Sequence, residues 1–234
     1  MVAGLQVSGM TPLTTIDFPH HLACVLYTQG CPLRCGYCHN PELIPFQTDT
    51  EPLSWSDIDD FLTRRQGLLE AVVFSGGEPT LQPGLREAML NVKQQGYKVG
   101  LHSAGVQPSR LESVLSHLDW VGLDVKAPAH LYARVTGRHN LALKNRQSLQ
   151  LLLASGIAFE CRTTVSWQLL QPEDILLLAR QLAAMGVTCY ALQISHGNNC
   201  LDSRLQRPVS LATEQLVDLR QELESMFPVF EWRG

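Results

Sequence analysis

Six short apolar, β-branched runs alternate along the chain with longer segments of helical periodicity. The predicted strands are residues 22–28, 71–75, 98–103, 120–125, 158–165 and 189–195. The predicted helices that follow them are residues 54–65, 84–95, 108–118, 143–155, 172–185 and 211–227. Strands separated by helices pair in parallel through right-handed crossovers. We therefore predict an α/β fold, specifically a partial (β/α)6 barrel, because six units are too few for the closed eight-stranded barrel. An open doubly wound sheet is the alternative.

Length and composition are those of one globular domain, which we expect to cover residues 1–234. The net charge of −4 argues against a general nucleic-acid binder. No apolar run reaches the length that spans a membrane, and the N-terminal residues do not resemble a signal peptide. An odd total of 7 cysteines argues against a disulfide framework, so we expect a reducing, cytoplasmic location.

Three of the cysteines, Cys31, Cys35 and Cys38, follow the first predicted strand with C-x3-C-x2-C spacing. A closed zinc site and an electron-transfer iron–sulfur cluster each need four protein ligands. Three neighbouring thiols therefore predict a [4Fe–4S] cluster with one iron left open. Half of a zinc ribbon is the alternative, although Cys189 and Cys200 do not supply a second C-x2-C pair. His39 is a possible fourth ligand.

Other candidate residues also come directly after a predicted strand, where parallel architectures bind ligands. The paired glycines Gly76 and Gly77, before Glu78, form either a plain turn or a loop that approaches a ligand closely. Lys126 could bind a ligand carboxylate, and Asp124 could bind a hydroxyl group or a cation. The alternative is that the two residues form a surface ion pair. Arg162 lies in a β-rich stretch with apolar neighbours, where an unpaired charged side chain is costly. We therefore expect it to pair either with a bound anion or with Glu160.

Functional and structural interpretations are both open for two further side chains and for one group of basic residues. Tyr37 either covers the cluster or offers its ring to an adenine. A histidine after a strand, such as His196, is usually held by backbone contacts. The basic residues Arg134, Arg138, His139, Lys144 and Arg146 are expected to form a solvated loop, with a docking surface for a protein as the second interpretation.

Taken together, these residues resemble the radical S-adenosylmethionine superfamily, through the cysteine motif and the sequence Gly-Gly-Glu-Pro at 76–79. The continuation Cys-His-Asn-Pro at 38–41 resembles the activating enzymes of glycyl radical enzymes. Residues 4–19, 124–126 and 162–165 resemble the short activating proteins of anaerobic ribonucleoside-triphosphate reductase. The fold that this resemblance implies is the partial barrel of radical SAM type.

The resemblance implies an oxidoreductase with two cofactors, a [4Fe–4S] cluster and S-adenosylmethionine. The three cysteines would bind the cluster, which would cleave S-adenosylmethionine reductively so that hydrogen is abstracted from a glycine of a partner enzyme. The cofactor-binding residues implied are Tyr37, His39, Gly76, Gly77, Glu78, Asp124, Lys126, Arg162 and His196. The implied partners are a glycyl radical enzyme, most of all anaerobic ribonucleotide reductase, and a flavodoxin- or ferredoxin-type electron donor.

Two alternatives to that function remain open in the sequence. One is a radical SAM enzyme with a small-molecule substrate, for which residues 198–208 are a candidate cover. The other is a non-catalytic iron–sulfur or zinc module.

The sequence also departs from its relatives in two ways. Residues 102–105 read His-Ser-Ala-Gly where some relatives have the Asp-Thr-Asn-Gly of a monovalent-cation site, so we do not expect that site. No cysteine lies between Cys38 and Ala71, which excludes an inserted ferredoxin domain there and predicts a single cluster.

Overall fold

The computed structural model describes residues 2–197, 199–207 and 209–234. The two ends of the candidate cover, Asn198 and Pro208, lie outside these residues. The strands are β1 Val7–Thr14, β2 Ala23–Thr28, β3 Ala71–Gly76, β4 Lys98–Ser103, β5 Trp120–Asp124, β6 Ala158–Val165, β7 Cys189–Ile194 and β8 Val229–Arg233. The helices are α1 Trp55–Arg65, α2 Leu85–Gln94, α3 Pro108–Val114, α4 Tyr132–Thr136, α5 Leu141–Ser155, α6 Pro172–Ala184 and α7 Thr213–Met226.

The strands form one sheet whose spatial order is the chain order, β1 to β8. Strands β2 to β8 are parallel, and β1 pairs antiparallel with β2. A doubly wound sheet reverses its strand order at a switch point, and no reversal occurs here. The predicted α/β partial barrel is therefore confirmed, and its open side lies between β1 and β8 of the described strands.

Two strands and one helix were not predicted from the sequence. Gly9 and Pro12 interrupt the apolar pattern of β1, which is an edge strand with two register shifts. Strand β8 is short, and none of its residues is buried. Helix α4 has five residues, too few for a helical period to be visible. These three elements lack the periodicity on which the prediction depends.

One face of the sheet packs under the helices and is apolar. Its fully buried side chains include Leu26, Phe74, Leu101, Leu123 and Leu192. The opposite, concave face holds a small apolar cluster near the amino ends of the strands, made of Phe18, Ala23, Val25, Ala71, Val73 and Trp120. The Phe18 ring, from the loop after β1, lies 5.6 Å from the Trp120 ring and fills that end of the barrel.

Further along the strands the concave face becomes polar, which positions the site. In the register of β5 and β6, Asp124 lies beside Arg162. Thr164 of β6 lies beside Gln193 of β7 in the same way. Because alternate residues of a strand share a face, these side chains project together from the carboxyl ends of the strands. None of the helices in the described ranges has both the length and the apolar character needed to cross a membrane.

Candidate cofactor site

The three clustered cysteines lie on the loop that follows β2, here called the cysteine loop, residues 29–40. The loop is held by backbone bonds: the Cys31 N–H donates to the Ile44 carbonyl at 3.0 Å, and the Cys38 N–H donates to the Cys35 carbonyl at 3.0 Å. Cys35 is buried, Cys31 and Cys38 are half-buried, and all three are free thiols. They line a cavity of about 300 Å³ at the carboxyl ends of the strands.

The chemistry of these donors fits an iron–sulfur cluster, because thiolates are soft ligands. Burial raises the pKa of the Cys31 thiol to about 12 and that of Cys35 to about 11, so without a positive metal centre both remain protonated. Thiolate is the form that binds metal. In a [4Fe–4S] cluster each cysteine sulfur binds a different iron, and three thiolates on one loop can supply three of these bonds.

The paired glycines at the end of β3 bring the chain that follows this strand against the cysteine loop. Gly76 has φ of 112°, and a methyl group there would overlap the backbone of Thr28. A methyl group on Gly77 would overlap the carbonyl of Gly30, next to the first cysteine. Both glycines line the cavity. The two interpretations of this motif are compatible, since the turn that only glycine permits also exposes backbone to the cavity.

Glu78, the next residue, is fully buried and does not line the cavity. Its Oε1 accepts hydrogen bonds from the Thr80 hydroxyl at 2.6 Å, the Thr80 N–H at 3.2 Å and the Ser103 hydroxyl at 2.8 Å. Its Oε2 accepts from the Ala104 N–H at 2.8 Å. Burial raises the pKa of Glu78, and these hydrogen bonds act in the opposite direction. The side chain therefore fastens the loop after β3 to the loop after β4, and the segment meets the cavity through Gly76 and Gly77.

We predict that Glu78→Gln destabilises the protein by about 2–3 kcal/mol, because the amide nitrogen would face the buried Ala104 N–H, a second donor. Thermal unfolding should show a fall in Tm of about 5–10 °C. Glu112→Gln, at an exposed position on α3, is the matched control and should change stability by less than about 0.5 kcal/mol. Equal Tm values for Glu78→Gln and the control would contradict the fastening role.

Asp124, Lys126 and Arg162 form a buried charged group on the cavity wall. Lys126 Nζ lies 2.7 Å from Asp124 Oδ2, and Arg162 Nη2 lies 3.0 Å from Asp124 Oδ1. Burial alone would raise the pKa of Asp124, but the two cations lower it well below its usual range. Two cations and one carboxylate leave one positive charge facing the cavity. This group can therefore receive an anion such as a ligand carboxylate.

Contacts decide part of the alternatives that the sequence left for these residues. The Lys126 side chain is only 11% exposed, so its ion pair with Asp124 is not a surface pair. The expected pairing of Arg162 with Glu160 is wrong: Glu160 accepts two hydrogen bonds of 2.9 Å from Arg233 of β8, and Arg162 pairs with Asp124. Binding of a ligand carboxylate by Lys126 and of an anion by Arg162 stay predictions.

One tyrosine and two histidines complete the predicted set. Tyr37 is buried on the cavity wall with Lys126 Nζ 5.9 Å from its ring centre, and its hydroxyl has no hydrogen-bond partner in the described part of the chain. The His39 ring lines the cavity and stacks on the His196 ring at 6.0 Å. His39 Nε2 also lies 3.2 Å from the His196 carbonyl oxygen. His196 itself is exposed and does not line the cavity, so it meets the site through His39.

Ten of the twelve predicted site residues thus line one cavity: Cys31, Cys35, Cys38, Tyr37, His39, Gly76, Gly77, Asp124, Lys126 and Arg162. Eight further polar residues that were not predicted as cofactor residues also line the cavity: Asp17, Tyr27, Asn40, Ser75, His102, Ser103, Thr164 and Gln193. Strand periodicity would have found Thr164 and His102, since each shares a face with a selected residue. No sequence signal pointed to Asp17, which the loop after β1 carries to the cavity.

His102, the first residue of the His-Ser-Ala-Gly sequence, is held against the loop after β1. Its Nε2 lies 2.9 Å from the Asp17 carbonyl oxygen, and its Nδ1 lies 4.0 Å from Asp17 Oδ1. Burial lowers the pKa of His102 to about 3, so the ring is neutral.

Comparisons with known proteins agree with this geometry. The family model described as the Radical SAM superfamily matches residues 25–166, which include the cysteine loop, both glycines and Arg162. Among solved structures, SuiB of Streptococcus suis bound to S-adenosylmethionine superposes with a TM-score of 0.66 at 15% identity, over 90% of this chain and 50% of that chain. At this identity the superposition shows the shared fold.

Two curated relatives are similar in sequence. MJ1227 of Methanocaldococcus jannaschii, whose name assigns it provisionally to the glycyl-radical enzyme activating enzymes, is 29% identical over 219 residues, 86% of this chain and 84% of its own length. The pyruvate formate-lyase-activating enzyme of Clostridium pasteurianum is 34% identical over 131 residues. That match spans 54% of each of the two chains.

Proposed function

This chain belongs to the radical SAM superfamily, and we propose that it is an activating enzyme that generates a radical on a glycine of a partner glycyl radical enzyme. The family's cofactors are a [4Fe–4S] cluster and S-adenosylmethionine. The observation that carries the proposal is the meeting of three free thiols, a glycine backbone edge and the paired cations Lys126 and Arg162 in one cavity. The names of both curated relatives support the activating role.

When bound, the two cofactors supply a one-electron cleavage of a carbon–sulfur bond and a carbon radical that can remove a hydrogen atom from a glycine. The thiolates of Cys31, Cys35 and Cys38 would hold the cluster. Backbone of Gly76 and Gly77 would accept the ammonium group of S-adenosylmethionine. A fixed set of polar groups in a secluded cavity orients a reactive ligand and keeps water from it.

Charged and aromatic side chains would fix the rest of the ligand. Lys126 and Arg162 would attract its carboxylate or orient its ribose, and Asp124 keeps both cations in place. Tyr37 and His39 would lie beside the adenine, with His196 holding the His39 ring.

The partner that we propose is anaerobic ribonucleoside-triphosphate reductase, on the strength of residues 4–19, 124–126 and 162–165. Pyruvate formate-lyase is the second candidate, because the second curated relative is named for it. The two candidates differ only in the protein that carries the reacting glycine.

The decisive experiment is anaerobic incubation of the reconstituted protein with S-adenosylmethionine, a reductant and one candidate partner at a time. Electron paramagnetic resonance should show a glycine-centred radical on the partner, and 5′-deoxyadenosine should form in proportion to added partner protein. Formation of 5′-deoxyadenosine that depends on a metabolite, with no protein radical, would support the small-molecule alternative.

Removal of the buried lysine should weaken cofactor binding without loss of the cluster. In Lys126→Ala we expect the Kd for S-adenosylmethionine to rise about 10- to 100-fold, since a buried charged contact to the ligand carboxylate is lost. Lys144→Ala, on exposed surface of α5, is the control and should leave the Kd unchanged. Equilibrium dialysis and iron analysis make the comparison. Loss of iron from Lys126→Ala would count against the ligand-binding role.

A further inference from the structure

We propose that Arg34, Arg134, Arg138 and Arg207, here called the arginine surface, form the docking site of an acidic one-electron donor protein. The inference rests on the proposed function, because a cluster that cleaves S-adenosylmethionine must be supplied with one electron for each cleavage. In that step the donor is oxidised by one electron and the cluster site is reduced by one.

The arginine surface is built onto the backbone of the cysteine loop. Arg138 Nε donates to the Pro32 carbonyl at 2.8 Å, and Arg34 Nη1 donates to the carbonyls of Cys31 at 2.8 Å and Leu33 at 2.7 Å. The Arg34 N–H donates to the Thr136 carbonyl at the end of α4. Two guanidinium groups therefore touch the peptide groups between the first two cluster ligands.

The other two arginines extend this surface along a chain of contacts. Arg134 Nη2 lies 3.3 Å from the Gln168 carbonyl oxygen. The side-chain amide of Gln168 donates to the Arg207 carbonyl at 2.8 Å. Asp202, in the same segment as Arg207, donates its N–H to the Gly36 carbonyl of the cysteine loop. The loop is thus covered from two sides by segments that carry arginine.

The charge of this surface is not neutralised locally. None of its four arginines makes an ion pair with a carboxylate of the described residues, whereas the neighbouring Arg204 is paired with Asp202. Arg134, Arg138 and Arg207 are exposed. A concentration of positive charge in a chain of net charge −4 is the pattern that steers an acidic protein to one face.

The position of the surface favours an electron donor over the glycyl radical partner. None of its four arginines lines the cavity. A glycine that loses hydrogen must enter the cavity, but an electron can reach the cluster through the outer side of the cysteine loop. Electron transfer slows steeply with distance. A donor that contacts the peptide groups between Cys31 and Cys35 would therefore transfer its electron faster. Of the two sequence interpretations of the basic loop, the docking surface therefore fits Arg134 and Arg138.

The test compares two double charge reversals in the full-length, cluster-loaded protein. Arg134→Glu with Arg207→Glu changes the arginine surface without removing a side-chain contact to the cysteine loop. Arg64→Glu with Arg65→Glu is the matched control, because both lie exposed at the end of α1, next to the amino end of β3. The probe is purified flavodoxin, a small acidic redox protein, and its binding is measured by calorimetry at low and moderate salt.

We expect the Kd for flavodoxin to rise at least about tenfold in the Arg134/Arg207 variant, with a weaker dependence on salt, and to change little in the control. Equal Kd values for the Arg134/Arg207 variant and the wild type, or equal losses in both variants, would overturn the proposal. Cytochrome c, a basic redox protein, should not bind.

A small-molecule reductant separates this proposal from the proposed function. With dithionite, cleavage of S-adenosylmethionine should be the same in wild type and in both variants, since dithionite needs no docking surface. Failure of cleavage in all three proteins would refute the proposed function, whereas the flavodoxin-binding measurement would still decide the docking proposal. Loss of glycyl radical formation in the Arg134/Arg207 variant under dithionite would assign the surface to the glycyl radical partner and overturn the donor assignment.

Discussion

Replacement of Cys35 by alanine should abolish cleavage of S-adenosylmethionine, the largest change in activity that we expect from any single substitution. Cys35 is the most buried of the three cavity thiols, with 7% of its surface exposed. Its loss leaves two protein ligands where the cluster needs three. Anaerobic reconstitution should therefore yield well below the roughly four irons per chain of a [4Fe–4S] protein.

The control for this prediction is Cys24→Ala. Cys24 lies in β2 on the face under the helices and is fully buried, and burial raises the pKa of its thiol to about 12. Cys24→Ala removes a buried thiol from the strand that leads into the cysteine loop. The comparison therefore tests whether iron is lost because a ligand is missing or because packing is weakened. Full iron content and normal cleavage in Cys24→Ala are expected. Retained cleavage in Cys35→Ala under strict anaerobiosis would refute the ligand assignment.

The ligand prediction could be made from sequence because the chemistry lies within eight consecutive residues, 31–38. The position of Asp124 beside Arg162 was also accessible, since parallel strands of alternating periodicity bring their carboxyl ends to one edge. Strand periodicity could not tell which carboxylate pairs with Arg162. Glu160 was the expected carboxylate, but it pairs with Arg233 of β8, a strand that was not predicted because none of its residues is buried.

Two further residues show where sequence reasoning reached its limit. Glu78 belongs to a motif that marks ligand binding, yet its carboxylate points into the contact between two loops, which only their three-dimensional packing determines. Asp17 reaches the cavity because β1 runs antiparallel to β2 and the loop between them folds over the concave face. As β1 was not predicted, neither was the arrival of this carboxylate at the site.

The close approach of β2 and β3 at their carboxyl ends leads to the second large effect: Gly76→Ala should destabilise the protein by at least about 3 kcal/mol. Two costs add at this position. The φ of 112° is strained for any residue with a Cβ, and the new methyl group would overlap the backbone nitrogen of Thr28 while lying 2.6 Å from its carbonyl oxygen. Backbone atoms paired in a sheet cannot move aside as a side chain can, so β2 and β3 would have to separate at their carboxyl ends.

Gly67→Ala isolates the first cost from the second. Gly67 has φ of 78° and nothing within 4 Å of an added Cβ, so the substitution incurs backbone strain alone, about 1 kcal/mol. Urea unfolding of the cluster-free proteins should therefore show a much lower midpoint for Gly76→Ala than for Gly67→Ala, and poor recovery of folded Gly76→Ala would agree. Equal midpoints would mean that β2 and β3 are not packed backbone to backbone at their carboxyl ends. In that case the cavity would lose the rigid edge on which the proposed binding of the ligand ammonium group depends.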